Sequence, residues 1–417
     1  MRKKTYNHKP FDPVGAMANE ENLNLFFEMI YDRQMIWKRR FIDNSPAPWT
    51  DNAIFAKYKF CNLYREHDRS SQWEIRNIIM DESLSDKDLI WKILVYRTFN
   101  NPETFARALD KWPNGIPNFD EYSEDEFTAH INEIKSLGLN PFTSAYSITG
   151  TIKPGESISD AFCHIVIPAI HRSIDAIATV LQNAGDPEQI VTFLMTLPGA
   201  SAFTAHEYYQ DFTYVSIYTD RSVMKFDQND FTNLGPGSSQ GVKLLFPKLK
   251  GSEQLSCYKY LQEIAGERLD EIALEKGDNM PYAQWNKELK KYDIVDECNL
   301  SLNQIEGALC EFSKYMRIRT GQGKPICPEF KVRTSSIIVE RVEDDMSEFI
   351  TTFDEPDDDL DEGEVSAPKR GRGRPKNSKN KDTKHTREPN ILVGFTLNCE
   401  NVDALINKVK NFLCLKK

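Results

Sequence analysis

The strongest constraint on the fold is a helical period that runs with few breaks from about Asn19 to Phe330. Apolar residues recur three and four positions apart in Leu25, Phe26, Met29, Ile30, Ile36 and Trp37. The same spacing appears in Leu89, Ile90, Ile93, Leu94 and Tyr96, in Ile165 to Gln182, and in Pro187 to Leu197. Such a period places one apolar stripe on each helix, and stripes of this kind are buried only against one another. Pro and Gly mark the short loops between them, as in Pro113-Asn114-Gly115, Gly150 to Gly155 and Gly185-Asp186-Pro187. No segment in this span reads as a strand, so the expectation is an all-α body from 19 to 330 preceded by a polar tail over 1–18.

Beyond Phe330 the pattern changes. Ser335 to Val342 is strand-like, giving a separate short element over 331–342. Residues 343–389 hold an acidic run, Glu343 to Glu364, and then a basic run, Lys369 to Arg387. With almost no apolar side chains to offset ordering entropy, that stretch is expected to be disordered. Residues 390–417 return to order as a strand, Ile391 to Leu397, and an amphipathic helix, Val402 to Leu413. This small α/β piece is too short to stand alone and is expected to dock on the body.

Composition excludes several classes. With 40% hydrophobic residues among 417 the chain can bury a large core. No uninterrupted apolar run approaches the roughly 20 residues of a bilayer-spanning helix, and no apolar stretch follows the basic Met1 to Pro10, so neither a membrane nor a secretory signal is expected. Eight cysteines are scattered without a C-x-x-C pair, which fits reduced thiols inside a cell. The histidines form no metal-binding motif, and no metal or cofactor is expected. The formal net charge of −11 argues against a nucleic-acid partner only until the acidic run is set aside.

Five motifs carry the chemistry. Lys369-Arg370-Gly371-Arg372-Gly373-Arg374-Pro375-Lys376 resembles an AT-hook, with Arg372 and Arg374 suited to the narrow minor groove of A·T-rich DNA; the alternative is a basic linker or import signal. Leu197-Pro198-Gly199-Ala200-Ser201 lies between two helical patterns and resembles a helix-hairpin-helix, whose backbone N–H groups near Gly199 and Ser201 would meet a DNA phosphate. A second glycine is usual where Ser201 stands. Read as a helix, Asn62 to Arg69 puts Asn62, Arg65 and Arg69 on one face with Asp68 beside Arg65, a face able to clamp phosphate; the default alternative is a solvated face with ion pairs. Gly235-Pro236-Gly237, entering a helix, can present N–H groups to an anion, although it is not a nucleotide-binding loop, and no G-x-x-x-x-G-K-[ST] occurs in the sequence. Gln304 to Tyr315, if helical, places Glu306, Cys310 and Lys314 on one side with Glu311 paired to Lys314, a pattern that by default is half-buried core.

Taken together and in order, these pieces resemble one family, the alpha-glutamyl/putrescinyl thymine pyrophosphorylases, with the related helical domain of 5-hydroxymethyluracil DNA kinases. The shared signature is Trp37-x-Arg39-Arg40-Phe41, Pro48-Trp49-Thr50, Asn62-x-Tyr64-Arg65-x-x-Asp68-Arg69, Leu197-Pro198-Gly199, an Asp of the Asp227 to Asp230 stretch followed by Gly235-Pro236-Gly237, and Leu309-Cys310-Glu311-Phe312-x-Lys314-Tyr315. The resemblance implies a fold similar to helical DNA glycosylases and a role in phage-type thymine hypermodification on double-stranded DNA. Lacking a Walker loop, the chain is expected to be the transferase that displaces pyrophosphate from 5-(pyrophosphoryloxymethyl)uracil with an amine or amino-acid co-substrate. The alternatives are a non-catalytic DNA-binding partner of a 5-hydroxymethyluracil DNA kinase and a base-excising glycosylase. Arg65 and Arg69 are the expected pyrophosphate ligands; Asp211, Asp227 and Asp230 are the candidate bases, and Lys314 and Glu311 the expected pocket lining. The setting is intracellular: the cytoplasm of an infected host for a phage protein, the nucleus for a eukaryotic one.

Overall fold

The computed structural model describes residues 11–143 and 157–322. The strand at 335–342, the acidic and basic runs with Arg372 and Arg374, and the 390–417 segment lie outside the described residues.

The body is mainly helical: α1 (Glu20–Trp37), α2 (Ala53–Lys57), α3 (Arg69–Glu74), α4 (Asp86–Phe99), α5 (Pro102–Ala106), α6 (Glu124–Ser136), α7 (Ile158–Ala161), α8 (Ile167–Asn183), α9 (Pro187–Leu194), α10 (Ala202–Tyr218), α11 (Pro236–Leu245), α12 (Gln254–Glu275) and, after a hairpin, α13 (Leu302–Arg319). Local chemistry sets the ends. The Asn19, Ser85 and Ser201 side chains accept the N–H groups of Asn22, Asp88 and Thr204, and Ser301 and Gln304 form a capping box on α13. Asn100, in the left-handed region at φ 48°, closes α4.

The helices pack in two groups. α4 lies against α8 and α10, and α9 against α8 and α10. The second group joins α1 to α11, α12 and α13, with α2 against α13, so the first helix among the described residues closes on the last. Residues 58–68 run between the groups. The helical run Ile158–Asn183 is long and apolar enough, by length and composition, to cross a membrane, although Arg172 and Asp175 interrupt it, so it is not an uninterrupted apolar run. Most of it is buried inside the fold, and α8 serves as a core helix against α4 and α9.

One correction to the all-α expectation is a two-stranded antiparallel hairpin, β1 (Tyr282–Asn286) and β2 (Lys291–Val295), with Tyr282 opposite Val295 and Asn286 opposite Lys291. Its turn has no glycine; Lys290 takes the left-handed conformation at φ 47° instead. Tyr292 is driven inward against Trp37, His67 and Tyr218. It is a small hairpin on a helical frame, not a central sheet.

Candidate active site

The segment Asn62–Arg69 is not one helix. Arg65–His67 is a single 3-10 turn and α3 starts at Arg69, so the expected face joining Asn62, Arg65 and Arg69 does not form. Hydrogen bonding by Asp68 explains the loop. Asp68 Oδ1 accepts from the Asn62 N–H (2.8 Å) and Nδ2 (3.0 Å), while Oδ2 holds Arg65 Nη1 at 2.6 Å. A side chain that pins backbone six residues back competes directly with helix. Arg69 points elsewhere, pairing with Glu103 at 3.3 Å.

Around this loop the separated motifs converge. Arg33 donates to the Phe60 and Cys61 carbonyls, Arg39 to the Trp49 carbonyl at 2.6 Å, and Arg40 lies over the Trp49 ring. Trp37 stacks on His67 with centroids 4.4 Å apart. From the far end of the chain, Tyr315 meets Asn52, whose Nδ2 donates to its hydroxyl; Glu311 Oε2 accepts the Cys61 N–H, and Gln304 Nε2 donates to Glu66 Oε1. α13 therefore clamps the loop, and the segments around Asn52 and Cys61 to Glu66 meet Gln304, Glu311 and Tyr315 there.

Below the loop sits a buried charge cluster centred on Arg97. Its guanidinium holds both oxygens of Asp211, with Glu74 and Glu207 each at 3.4 Å and Asn100 Oδ1 at 3.3 Å. Three carboxyl groups share one cation out of water, so they cannot all ionise cheaply. Burial, reinforced by Asp211, pushes the Glu74 carboxyl well above the usual range. Burial also pushes Asp211 up to about 7 despite the opposing pull of Arg97. Both carboxyls thus hold a proton more tightly than free carboxyls do.

Above it lies an accessible rim. Arg65, about a quarter exposed, is reached by the charges of Glu207 and Glu311 as well as Asp68, and its Cδ lies 3.5 Å from the Cβ position of Gly307 on α13. A Cβ at 307 would make ordinary van der Waals contact with it. Lys314 pairs with Glu311 at 2.6 Å; Glu311 raises the Lys314 value, and although burial opposes it, Lys314 and Arg65 hold the Glu311 carboxyl low. Glu306 is pushed up to about 7 by burial, against a hydrogen bond from the Ser238 hydroxyl. One cation fit to hold anionic oxygens, Arg65, thus acts on the Glu306 carboxyl, and a second, Lys314, lies further along α13 on Glu311.

The other expected residues are placed as follows. Asp211 is sealed beneath the rim on Arg97, so it orients that guanidinium and does not reach solvent. Asp227 and Asp230 are exposed and spend their carboxylates on their own turn, accepting from the Asn229 and Asp227 N–H groups respectively. Gly199 sits in the left-handed region (φ 78°) between α9 and α10, and Ser201 caps α10. Gly235 faces Glu306, whose Oε1 lies 3.9 Å from the Cβ position, and Gly237 is pressed on Cys310. That turn therefore receives a carboxylate and a helix contact from α13.

Sequence reasoning missed Arg97, Glu74 and Glu207, and it placed Glu306 on one face with Lys314 without singling it out for chemistry. A signal was present in α4, where Lys92 and Arg97 interrupt an otherwise apolar helix. Lys92 caps the Pro113 and Ile116 carbonyls, and burial brings it down to about 8. Arg97 serves the cluster.

A family model described as the helical domain of 5-hmdU DNA kinase matches residues 20–324, which take in every motif of the body. The chain belongs to the 5-hmdU DNA kinase helical-domain family. A curated relative, the 5-hmdU DNA kinase of Bacillus phage SP10, is 25% identical over 324 residues, covering 74% of this chain and 48% of the relative. The chain thus spans about half the length of that relative. No solved structure matches the chain significantly. The loop that carries the densest part of the signature is the one that α13 clamps.

Proposed function

We propose that this protein is a DNA thymine-hypermodifying transferase that displaces pyrophosphate from 5-(pyrophosphoryloxymethyl)uracil with an amine or amino acid. The observation that carries the reading is the rim: Arg65, held by Asp68 and acting on the charge of Glu306, with the Lys314–Glu311 pair further along α13 and the buried Arg97 cluster nearby. The target nucleotide is extruded from the duplex into this locus. The bond from the exocyclic carbon to the pyrophosphate oxygen breaks with its electron pair leaving on pyrophosphate. The amine lone pair forms the new C–N bond, and its surplus proton passes to a carboxylate. Arg65 commits Nη1 to Asp68, leaving other donors of its guanidinium fork for the leaving group. Glu306, titrating near 7, is the base best matched to neutral pH. In this scheme Asp211 positions Arg97, Asp227 and Asp230 stay outside the chemistry, and Arg372 and Arg374 add weak minor-groove contact.

A second reading, a non-catalytic DNA-binding partner of a 5-hydroxymethyluracil DNA kinase, is favoured by the match itself, since the matching model is the helical domain of such a kinase. Incubation with pyrophosphorylated DNA and candidate amines, followed by digestion to nucleosides and mass spectrometry, separates the readings. Transfer yields a heavier thymidine derivative. An unchanged pyrophosphorylated nucleoside supports the binding role, and a released base would make the protein a glycosylase.

A further inference from the structure

We infer that α2, the C-terminal half of α13 and α11 form a track for the phosphate backbone of duplex DNA that leads into the rim at Lys314. In a chain of net charge −11, the segments 52–59, 236–250 and 312–322 contain no Asp or Glu and carry eight Lys and Arg. The fold brings them together. Tyr315 of α13 packs on Phe55 of α2 and on Phe60 and bonds to Asn52; on the opposite flank Arg317 donates to Gln240 of α11. Lys314 and Arg317 are one turn apart on α13, and Lys243 lies one turn along α11 from Gln240, the residue that Arg317 reaches. Lys57, Lys243 and Arg319 are exposed.

Three helices side by side span about 16–20 Å. That width lets cations on the flanks reach phosphates on both sides of a groove about 12 Å wide. The acidic groups at the border are otherwise engaged or lie before the track: Glu311 holds Lys314, Asp32 is met by Asn52 and Lys276, and Asp51 precedes α2. A net-acidic protein that uses DNA needs such a local positive surface, because phosphate neutralisation supplies most non-specific affinity.

This inference rests on DNA being the substrate, but its test does not need turnover. The full chain carrying Lys57→Gln, Lys243→Gln and Arg317→Gln would be titrated with an unmodified, G·C-rich duplex over a salt series, beside a control carrying Lys87→Gln, Lys111→Gln and Lys290→Gln. Each lost phosphate contact lowers the slope of log affinity against log salt by about 1, so the first variant should lose about 3 in slope and the control far less, with unchanged melting temperatures. Equal effects in the two variants, or an unchanged slope in the first, would overturn the track. If the parent binds DNA yet transfers nothing, the track stands and the transferase reading fails. If it transfers and the first variant binds like the parent, the reverse holds.

Discussion

Glu66 shows how single residues here are tuned by burial. Its carboxyl is nearly sealed, receives Gln304 at Oε1, and is pushed up to about 7 by burial, although its own backbone N–H and Gln304 pull the other way. A carboxyl whose folded value lies above its ordinary one near 4.5 binds its proton more tightly in the native state. Its stabilising contribution is complete below about 4.5 and is lost as pH rises through about 7. Asp211 and Glu306 act with the same sign. Denaturant stability should therefore fall between pH 5 and 8, the range set by these values near 7. Glu66→Gln, which keeps the shape of the protonated form, should flatten that fall by a few kcal/mol, because each tenfold gain in proton affinity on folding corresponds to about 1.4 kcal/mol. A variant profile running parallel to the parent would show that Glu66 ionises normally in the fold.

At the scale of elements, the close approach of α11 to α13 sets where Glu306, Cys310 and Lys314 sit. Gly241 allows it: a Cβ there would lie 2.0 Å from the Leu309 carbonyl oxygen, backbone that cannot swing aside. Gly241→Ala gains up to about 1 kcal/mol of helix propensity but must part the helices, an overpacking cost of about 1–3 kcal/mol. The expected result is a lower unfolding free energy, while Gly251→Ala, with nothing within 4 Å, serves as a neutral control. A more stable Gly241→Ala would mean that the helices are loosely joined. Much of this level was legible in the sequence. The 3.6 period located α1, α4, α8 and α9, and Glu311 does pair with Lys314 as its spacing suggested. The β1–β2 hairpin was not legible, because its strands are short and its turn uses Lys290 in place of glycine. Nor was the break at Arg65–His67, which follows from Asp68 reaching back to Asn62, an interaction that helical spacing does not encode. The Arg97 cluster draws in Glu207 and Asp211 from more than a hundred positions away, and only the fold reveals which carboxylates share that cation.

At the scale of the whole molecule, the proposed reaction centre lies where the two helical groups meet across residues 58–68, with α13 closing over Arg65. In the proposed reaction Arg65 acts on the leaving pyrophosphate and does not merely hold DNA or brace the loop through Asp68. The direct measurement is the single-turnover rate of pyrophosphate displacement at saturating DNA for Arg65→Ala, with thermal melts of the same variant. A contact that strengthens as the leaving group gains charge lowers the barrier selectively, so its loss appears in the chemical step. The expected variant is folded, binds DNA nearly as the parent does and reacts about 10²- to 10³-fold more slowly. A stable variant that turns over at the parental rate, with weakened DNA binding alone, would contradict the claim.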